Sequence, residues 1–203
     1  MMKKILSFIT LFLCTGSLVE GWQPQSPAAQ PPAPLILLNP GEHMLCGKSR
    51  DGKVELEDGS KFKALSGDAL KIYEEWSWHD HLTVTPNTML MGGSDFFLIN
   101  LDRHGEFVHV NFFSEPSRTN PYTQSIFFID PHYGEIYVRN GNKDEILWFV
   151  EEEDIHLLKD WEQGDRVLIG SYVVPWHKKF SIQSEHVMIN CEKEYLRHVR
   201  VKQ

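Results

Sequence analysis

The sequence predicts a mainly β protein made of two tandem copies of one small unit, a bent β-sheet or an SH3- or OB-like barrel of about 70 residues with one short helix. One observation is a repeat: His43 to Gly59 aligns with Ser125 to Gly141 without a gap. Another is a Trp followed by an Asp four residues later, at Trp76 to Asp80 and at Trp161 to Asp165. The third is that short alternating runs are separated by turns that contain Gly, which is typical of strands in a small barrel.

The elements of the two copies follow the same order. In the first copy we expect three strands between Met44 and Leu65, a short helix and three further strands. Asp58-Gly59 and Asn140-Gly141 are favoured two-residue hairpin turns. His109 and His198 align as outward positions of matched strands. Apolar residues at every third position form one stripe and predict the helices; they are Leu70, Tyr73 and Trp76 in the first copy, and Ile155, Leu158 and Trp161 in the second.

The composition of the chain changes along its length and predicts its organisation. Leu35 to Leu38 is apolar, and we expect it to add a short strand to the first unit. One unit of this size buries barely enough apolar surface to be stable, so we expect the two units to pack on each other or to share a strand. The predicted segments are a signal peptide (1–21), a Pro-rich linker with the short strand (22–41), the first unit (42–113), a connector (114–122) and the second unit (123–203).

The amino terminus predicts export. Lys3 and Lys4 precede an apolar run from Ile5 to Leu13, which is typical of a signal peptide and too short to span a bilayer. The alternative is a lipid anchor at Cys14, but Leu13 stands where a lipobox has a small residue. We therefore expect a mature chain without a transmembrane segment, located in the periplasm, in the cell envelope or secreted.

Composition limits the partners and the chemistry. The formal net charge is −8, and no basic stretch with interleaved aromatic residues occurs, which excludes nucleic acid as a partner. The sequence has no motif for a Ser or Cys nucleophile, a nucleotide site or a spaced zinc site. We therefore predict no catalytic residue and no cofactor.

Two cysteines, Cys46 and Cys191, remain after the signal peptide is removed. Two thiols in an exported protein can form a disulfide, provided that their strands meet. Each cysteine, however, aligns with a large apolar residue of the other copy, Cys46 with Phe128 and Cys191 with Leu101. That pattern is typical of a buried free thiol. Both interpretations stay open at this point.

The densest group of histidines is His79-Asp80-His81. In an extended segment His79 and His81 lie on the same side, a geometry that can hold Zn or Cu. A metal site needs a third ligand, and the second copy has Gly164 and Arg166 at these positions. The group is therefore a weak metal candidate, and we predict no metal; a solvated strand edge is the preferred interpretation.

Residues that recur in both copies are interpreted as structural markers. We expect each Trp to fill the core of its unit, and each Asp to accept hydrogen bonds from backbone N–H groups in the turn before the next strand. A catalytic Asp beside a Trp platform is the alternative, but two identical active sites in one duplicated chain would be unusual. The markers are Trp76, Asp80, Trp161, Gly164 and Asp165.

A family resemblance rests on two short motifs. The chain has Asp58-Gly59-Ser60-x-Phe62 and Trp161-x-x-Gly164-Asp165, with Phe96 to Asn100 between them. In these motifs it resembles uncharacterised exported chlamydia-type proteins with tandem β-repeats of the form DGS-x-aromatic and W-x-x-G-D. The first copy departs from the pattern at His79, where Gly is expected. The resemblance implies an envelope or secreted location in an intracellular bacterium and no substrate.

Two classes of function fit the sequence. The first is a non-enzymatic extracytoplasmic module that binds a protein, peptide or glycan surface, and exposed aromatic residues gathered between the copies would favour it. The second is an envelope hydrolase with a site at the junction of the two repeats. A deep pocket with convergent carboxylate or His groups that occur in only one copy would favour the hydrolase.

Overall fold

The structure is a computed structural model that describes residues 36–88, 93–172, 186–193 and 198–203. The predicted signal peptide, Cys14 and most of the predicted linker lie outside the described residues. Residues 35–203 form one compact unit. Neither of the helices in the described ranges has the length and apolar character needed to cross a membrane.

The first copy folds into a closed antiparallel barrel in the order β1-β2-β3-β6-β5-β4. Strand β4 closes the barrel because it pairs with β1 at the positions Leu82 and His43. Helix α1 (Gly67–Glu74) connects β3 to β4 and is capped by Ser66. The strands are β1 (His43–Lys48), β2 (Lys53–Leu56), β3 (Lys61–Ala64), β4 (His81–Pro86), β5 (Phe96–Asn100) and β6 (Glu106–Ser114).

The second copy folds into a second closed barrel with the same connections, in the order β7-β8-β9-β12-β11-β10. A 3₁₀ helix (Glu152–Asp160) takes the place of α1. The strands are β7 (Gln124–Asp130), β8 (Glu135–Arg139), β9 (Glu145–Val150), β10 (Arg166–Ser171), β11 (His186–Asn190) and β12 (His198–Lys202). The predicted fold class, two tandem mainly β units with one short helix each, is confirmed.

Alternation along the strands separates the interior of each barrel from its outside. In β5, Phe96 and Leu98 are buried while Phe97 and Ile99 are half-buried, as expected when successive side chains point to opposite faces. The apolar stripes of the two helices also face the cores: Tyr73 and Leu158 are buried, and so are Trp76 and Trp161 just after the helices end.

Equivalent hydrogen bonds fix which residues of the two copies correspond. The backbone N–H groups of Leu45 and Ile126 each donate to the carbonyl of the repeated Asp, so these residues correspond. The carbonyls of Gly52 and Gly134 each accept from the last residue of the third strand, so these glycines correspond too. The gapless alignment is therefore wrong by one residue in the first strand, because the second copy has one more residue before the turn glycine.

A second correction concerns the last strands. The carbonyls of His109 and Arg200 accept equivalent hydrogen bonds from the residue that follows β3 and β9, so His109 corresponds to Arg200. By the same register His198 corresponds to Phe107. The alignment of His109 with His198 is therefore wrong by two residues. A shift of two preserves the face of a strand, and both histidines do occupy outward positions.

The two barrels pack on each other through the equivalent strands β4 and β10. Thr83 Oγ1 on β4 donates to Gly41 O at 2.7 Å and accepts from Ser171 N at 3.0 Å. The backbones approach so closely that a Cβ added to Gly170 would clash with Val84 O. This interface agrees with the expectation that two units of this size pack on each other.

The extra strand expected at Leu35 to Leu38 is not formed by its described residues. Ile36 to Asn39 lie outside any strand, and Ile36 N donates to the hydroxyl of Tyr122 at 2.9 Å. The physical reason is that β4 already pairs with β1, so the closed first barrel leaves no free strand edge for an added strand.

Candidate functional site

The repeated Asp of each copy organises the turn that leads into β4 or β10. Asp80 Oδ2 accepts hydrogen bonds from Ser77 N at 2.9 Å and from Asn100 Nδ2 at 2.7 Å. The Asp therefore ties the turn to the strand beside it and is occupied by structural partners. In the second copy the donors to Asp165 Oδ2 are Glu162 N at 2.9 Å and Asn190 Nδ2 at 2.7 Å.

Asn100 and Asn190 belong to this repeated network, and the sequence reasoning did not single them out. Both are fully buried, and the Oδ1 atom of each accepts from the backbone N–H two residues later at 3.0 Å. An Asn at the same place in two aligned apolar runs was the available signal, because a buried amide needs several hydrogen-bond partners.

The repeated tryptophans differ in their polar contacts. Both are buried, and Trp76 Nε1 donates to Glu106 Oε2 at 2.8 Å. The indole Nε1 of Trp161 has no acceptor within the described part of the chain. The two residues therefore share a packing position, and only the first has a polar partner.

The structure does not bring His79, Asp80 and His81 together as a ligand set. His79 has a positive φ of 69°, and its backbone N–H donates to Leu45 O at 2.9 Å. His81 Nδ1 lies 3.1 Å from an Asp102 carboxylate oxygen, at the solvent-accessible start of β4. Within the described ranges no group of three or more His, Cys, Asp or Glu is arranged to hold a metal ion.

Cys46 and Cys191 are free thiols in this structure, so the disulfide alternative is not observed. Burial raises the pKa of Cys46 to about 11 and that of Cys191 well above its usual value. By the corrected register Cys46 corresponds to Phe127 rather than Phe128. Cys191 corresponds to Leu101, as expected, because each N–H donates to the first residue of β4 or β10.

A buried His–Glu pair lies where the two barrels meet. His43 Nδ1 is 2.9 Å from Glu57 Oε1, and His43 Nε2 is 2.8 Å from Ile169 O in the second barrel. Both partners are acceptors, so the imidazole satisfies both only when both of its ring nitrogens carry protons. The second oxygen of Glu57 accepts from Met44 N at 2.8 Å.

The electrostatics of this pair agree with a charged imidazole. Burial alone would lower the pKa of His43, but the charge of Glu57 and its hydrogen bond outweigh burial and raise the pKa to about 9. Burial, and then the charge of Glu57, also raise the pKa of Asp58. The corresponding residues of the second copy are Gln124 and Arg139, so the pair is present in only one copy.

A cavity of about 260 Å³ lies beside this pair at the junction. Residues from the amino-terminal segment, from the connector and from both barrels line it, including His43, Glu57, Tyr122, Trp148 and Ile169. The sequence reasoning named the junction as a place for a site, but it named none of these residues. Their relative positions depend on how the two barrels pack, and this packing leaves no motif in the sequence.

Aromatic residues gather on the outside of the first barrel, where Phe107 is exposed and Phe97 is half-buried, and not between the copies, where their presence would have favoured a binding module. The ring centroids of Phe97 and Phe107 are 5.4 Å apart, and those of Phe97 and His109 are 4.7 Å apart. Ser94 Oγ lies 2.9 Å from His109 Nδ1 and holds that ring. We call the outward residues of β5 and β6, with the residue that follows β5, the aromatic face: Phe97, Ile99, Leu101, Phe107 and His109.

The β11 side of the same face in the second barrel is covered by the first barrel. Val187 and Ile189 stand three residues and one residue before the buried Asn, as Phe97 and Ile99 do in the first copy. Val187 and Ile189 are fully buried and pack with the core of the first barrel. Leu101, by contrast, is 42% exposed, whereas its counterpart Cys191 is 4% exposed.

A groove runs from the aromatic face to helix α1. It has a volume of about 550 Å³ and is lined by Ser66, Asp68, Ala69 and Ile72 on one side and by Arg103 to His109 on the other. In the second barrel Arg200, which takes the place of His109, binds Asp154 of the 3₁₀ helix at 2.8 Å. The helix and the last strand are therefore bridged there by an ion pair.

Comparisons of the chain with protein-family models, with curated proteins and with solved structures find no match. The chain is therefore a protein of two fused six-stranded barrels, and the first barrel has an accessible aromatic face.

Proposed function

We propose that this chain is an exported, non-enzymatic binding module of the periplasm or cell envelope, and that it docks a partner protein on the aromatic face. The observation that carries the proposal is the difference between the copies. In the second copy the first barrel covers the β11 side of this face at Val187, Ile189 and Cys191, whereas in the first copy Leu101, the counterpart of Cys191, is 42% exposed and Phe107 is 49% exposed. Exposed, clustered aromatic residues are typical of protein interfaces.

A protein partner is favoured over a glycan because the fold already provides an example. The covered face of the second barrel is occupied by another protein domain, and the contact is apolar, with Leu168, Val187 and Ile189 in one continuous core with the first barrel. The export half of the proposal rests on the predicted signal peptide and on the resemblance to exported repeat proteins.

Site-specific photo-crosslinking in cells of the native host tests the docking proposal. Phe107 is replaced by benzoylphenylalanine, and Phe128 of the second barrel is the matched control because it is 50% exposed. We expect a discrete protein adduct from position 107 that is at least several-fold stronger than from position 128. Equal adducts at both positions, or none at position 107, would contradict the proposal.

A hydrolase at the junction is the second candidate, favoured by the presence of the His43–Glu57 pair in one copy beside a cavity. The geometry supports it less well. Both oxygens of Glu57 and both ring nitrogens of His43 already have hydrogen-bond partners within the protein. A general base needs an atom free to take a proton from a substrate or a water.

A further inference from the structure

The junction cavity has the size of a site for one small ring. Its volume is about 260 Å³, just below the range of about 300–1,000 Å³ that is typical of pockets for drug-sized ligands. Three parts of the chain supply most of its lining: the segment 36–43, the connector near Tyr122, and the β8–β9 loop with β9 as far as Trp148. Glu57, Gln124 and Ile169 complete it. It shares no residue with the aromatic face, so the inference goes beyond the proposed function.

The polar lining of this cavity consists of side-chain amides, carboxylates, the His43 imidazole and an indole. Trp148 is buried and lines the cavity, and its Nε1 has no acceptor among the described residues. A buried N–H without a partner costs about 1–3 kcal/mol, which a bound acceptor would recover. The side-chain amides of Gln124 and Asn142 line the same cavity, and each amide offers both donors and an acceptor.

The charges around the cavity disfavour anionic ligands, and its side chains provide no metal site. No Lys or Arg is among its described lining residues, whereas Glu42 and Asp144 contribute carboxylates, so anions are repelled. The carboxylate of Glu57 is neutralised by His43 at 2.9 Å. Metal cations lack a ligand set, because the described ranges hold no group of three suitable side chains.

We propose that the junction cavity binds a neutral, hydroxyl-rich molecule the size of a single sugar ring. Amide groups both donate to and accept from hydroxyl groups, and the Trp148 N–H provides one further donor. Tyr122, Ile146 and Trp148 provide apolar wall for the C–H groups of the ring. Carboxylate oxygens of Asp144 and Glu42 accept additional hydroxyl protons.

Saturation-transfer NMR with the full chain tests this inference. The probes are glucose, galactose, mannose and N-acetylglucosamine, with glucuronate as the anionic comparison. We expect saturable binding of at least one neutral sugar and weaker binding of glucuronate. Trp148→Phe keeps an aromatic side chain, although a smaller one, and removes the donor; we expect it to weaken binding about tenfold, the effect of one hydrogen bond.

Trp161→Phe is the matched control, because Trp161 is also buried with an unpartnered Nε1 but does not line the cavity. Asn142→Ala is a second test variant, since this exposed side chain can be removed without disturbing a core. Binding that Trp148→Phe and Asn142→Ala weaken while Trp161→Phe does not would support the inference. No saturable sugar binding, equal binding of glucuronate, or equal effects of the two Trp variants would overturn it.

Discussion

At the residue scale, the position directly before the repeated Asp has a positive φ in both copies, and His fills it in the first copy and Gly in the second. His79 has φ of 69° and Gly164 has φ of 92°. The left-handed region costs an ordinary L-residue about 1–2 kcal/mol, whereas Gly enters it freely. His79 is therefore a strained residue in a turn, and the positive φ that the turn requires explains why the repeat pattern has Gly at this position.

Exchanging these two residues tests that explanation. We expect Gly164→His to lower the free energy of unfolding by about 1–2 kcal/mol. No atom lies within 4 Å of a Cβ at Gly164, so this cost would come from the backbone alone. We expect His79→Gly to raise the free energy by up to about 1 kcal/mol, because the greater freedom of the unfolded Gly offsets part of the relief. Urea unfolding measures both, and a stabilising Gly164→His would contradict the explanation.

His43 makes the stability of the junction depend on pH. Its pKa in the folded protein is about 9, above the usual value of 6.5, so its stabilising contribution is complete below pH 6.5 and is lost as the pH rises through about 9. We expect the free energy of unfolding to fall over this interval by an amount on the order of 3 kcal/mol.

Chemical unfolding at a series of pH values measures this slope. The control is the double variant His43→Gln with Glu57→Gln, which removes both charges and places at position 43 the residue found at the equivalent position 124. We expect a much flatter profile between pH 6.5 and 9. An unchanged slope in the double variant would show that another group is responsible.

At the scale of elements, the close approach of β4 and β10 depends on Gly170. We expect Gly170→Ala to destabilise the protein by about 1–3 kcal/mol, because the added methyl group would meet a backbone carbonyl that cannot move alone. Gly67→Ala is the control: it starts α1, and no atom lies within 4 Å of an added Cβ. Thermal unfolding measures both, and equal melting temperatures for the two variants would contradict this account of the interface.

The order of the elements was predictable from the sequence, whereas their register was not. The apolar stripe that includes Tyr73 has a local cause, so sequence alone reveals it. Asp58-Gly59 and Asn140-Gly141 do mark turns, but the prediction of two-residue turns is wrong: Leu56 pairs with Ser60 and Asn140 with Asp144, so each loop has three residues. The one-residue shift that makes Leu45 correspond to Ile126 has no local signal. With one extra residue before a turn, the alternation of apolar and polar residues fits either register. The site residues His43 and Trp148 were not predicted either, because they come together only when the two barrels pack.

At the scale of the whole molecule, the duplication has produced two barrels with one fold and different surroundings. In the second barrel the β11 side of the face equivalent to the aromatic face is buried in the interface, at Val187 and Ile189. The other keeps the aromatic face and the groove beside α1. The proposed docking function therefore belongs to the first barrel, while the second barrel and the junction hold it in place.

The most direct test of this account is the reactivity of single cysteines at the two equivalent positions. Phe97→Cys and Val187→Cys would each be made in a chain whose three native cysteines are replaced by Ala, and native protein would be labelled with a maleimide. We expect rapid labelling at position 97 and protection at position 187 until the protein is unfolded. Equal labelling rates at the two positions in the native protein would contradict the claim that one face is covered and its twin is open.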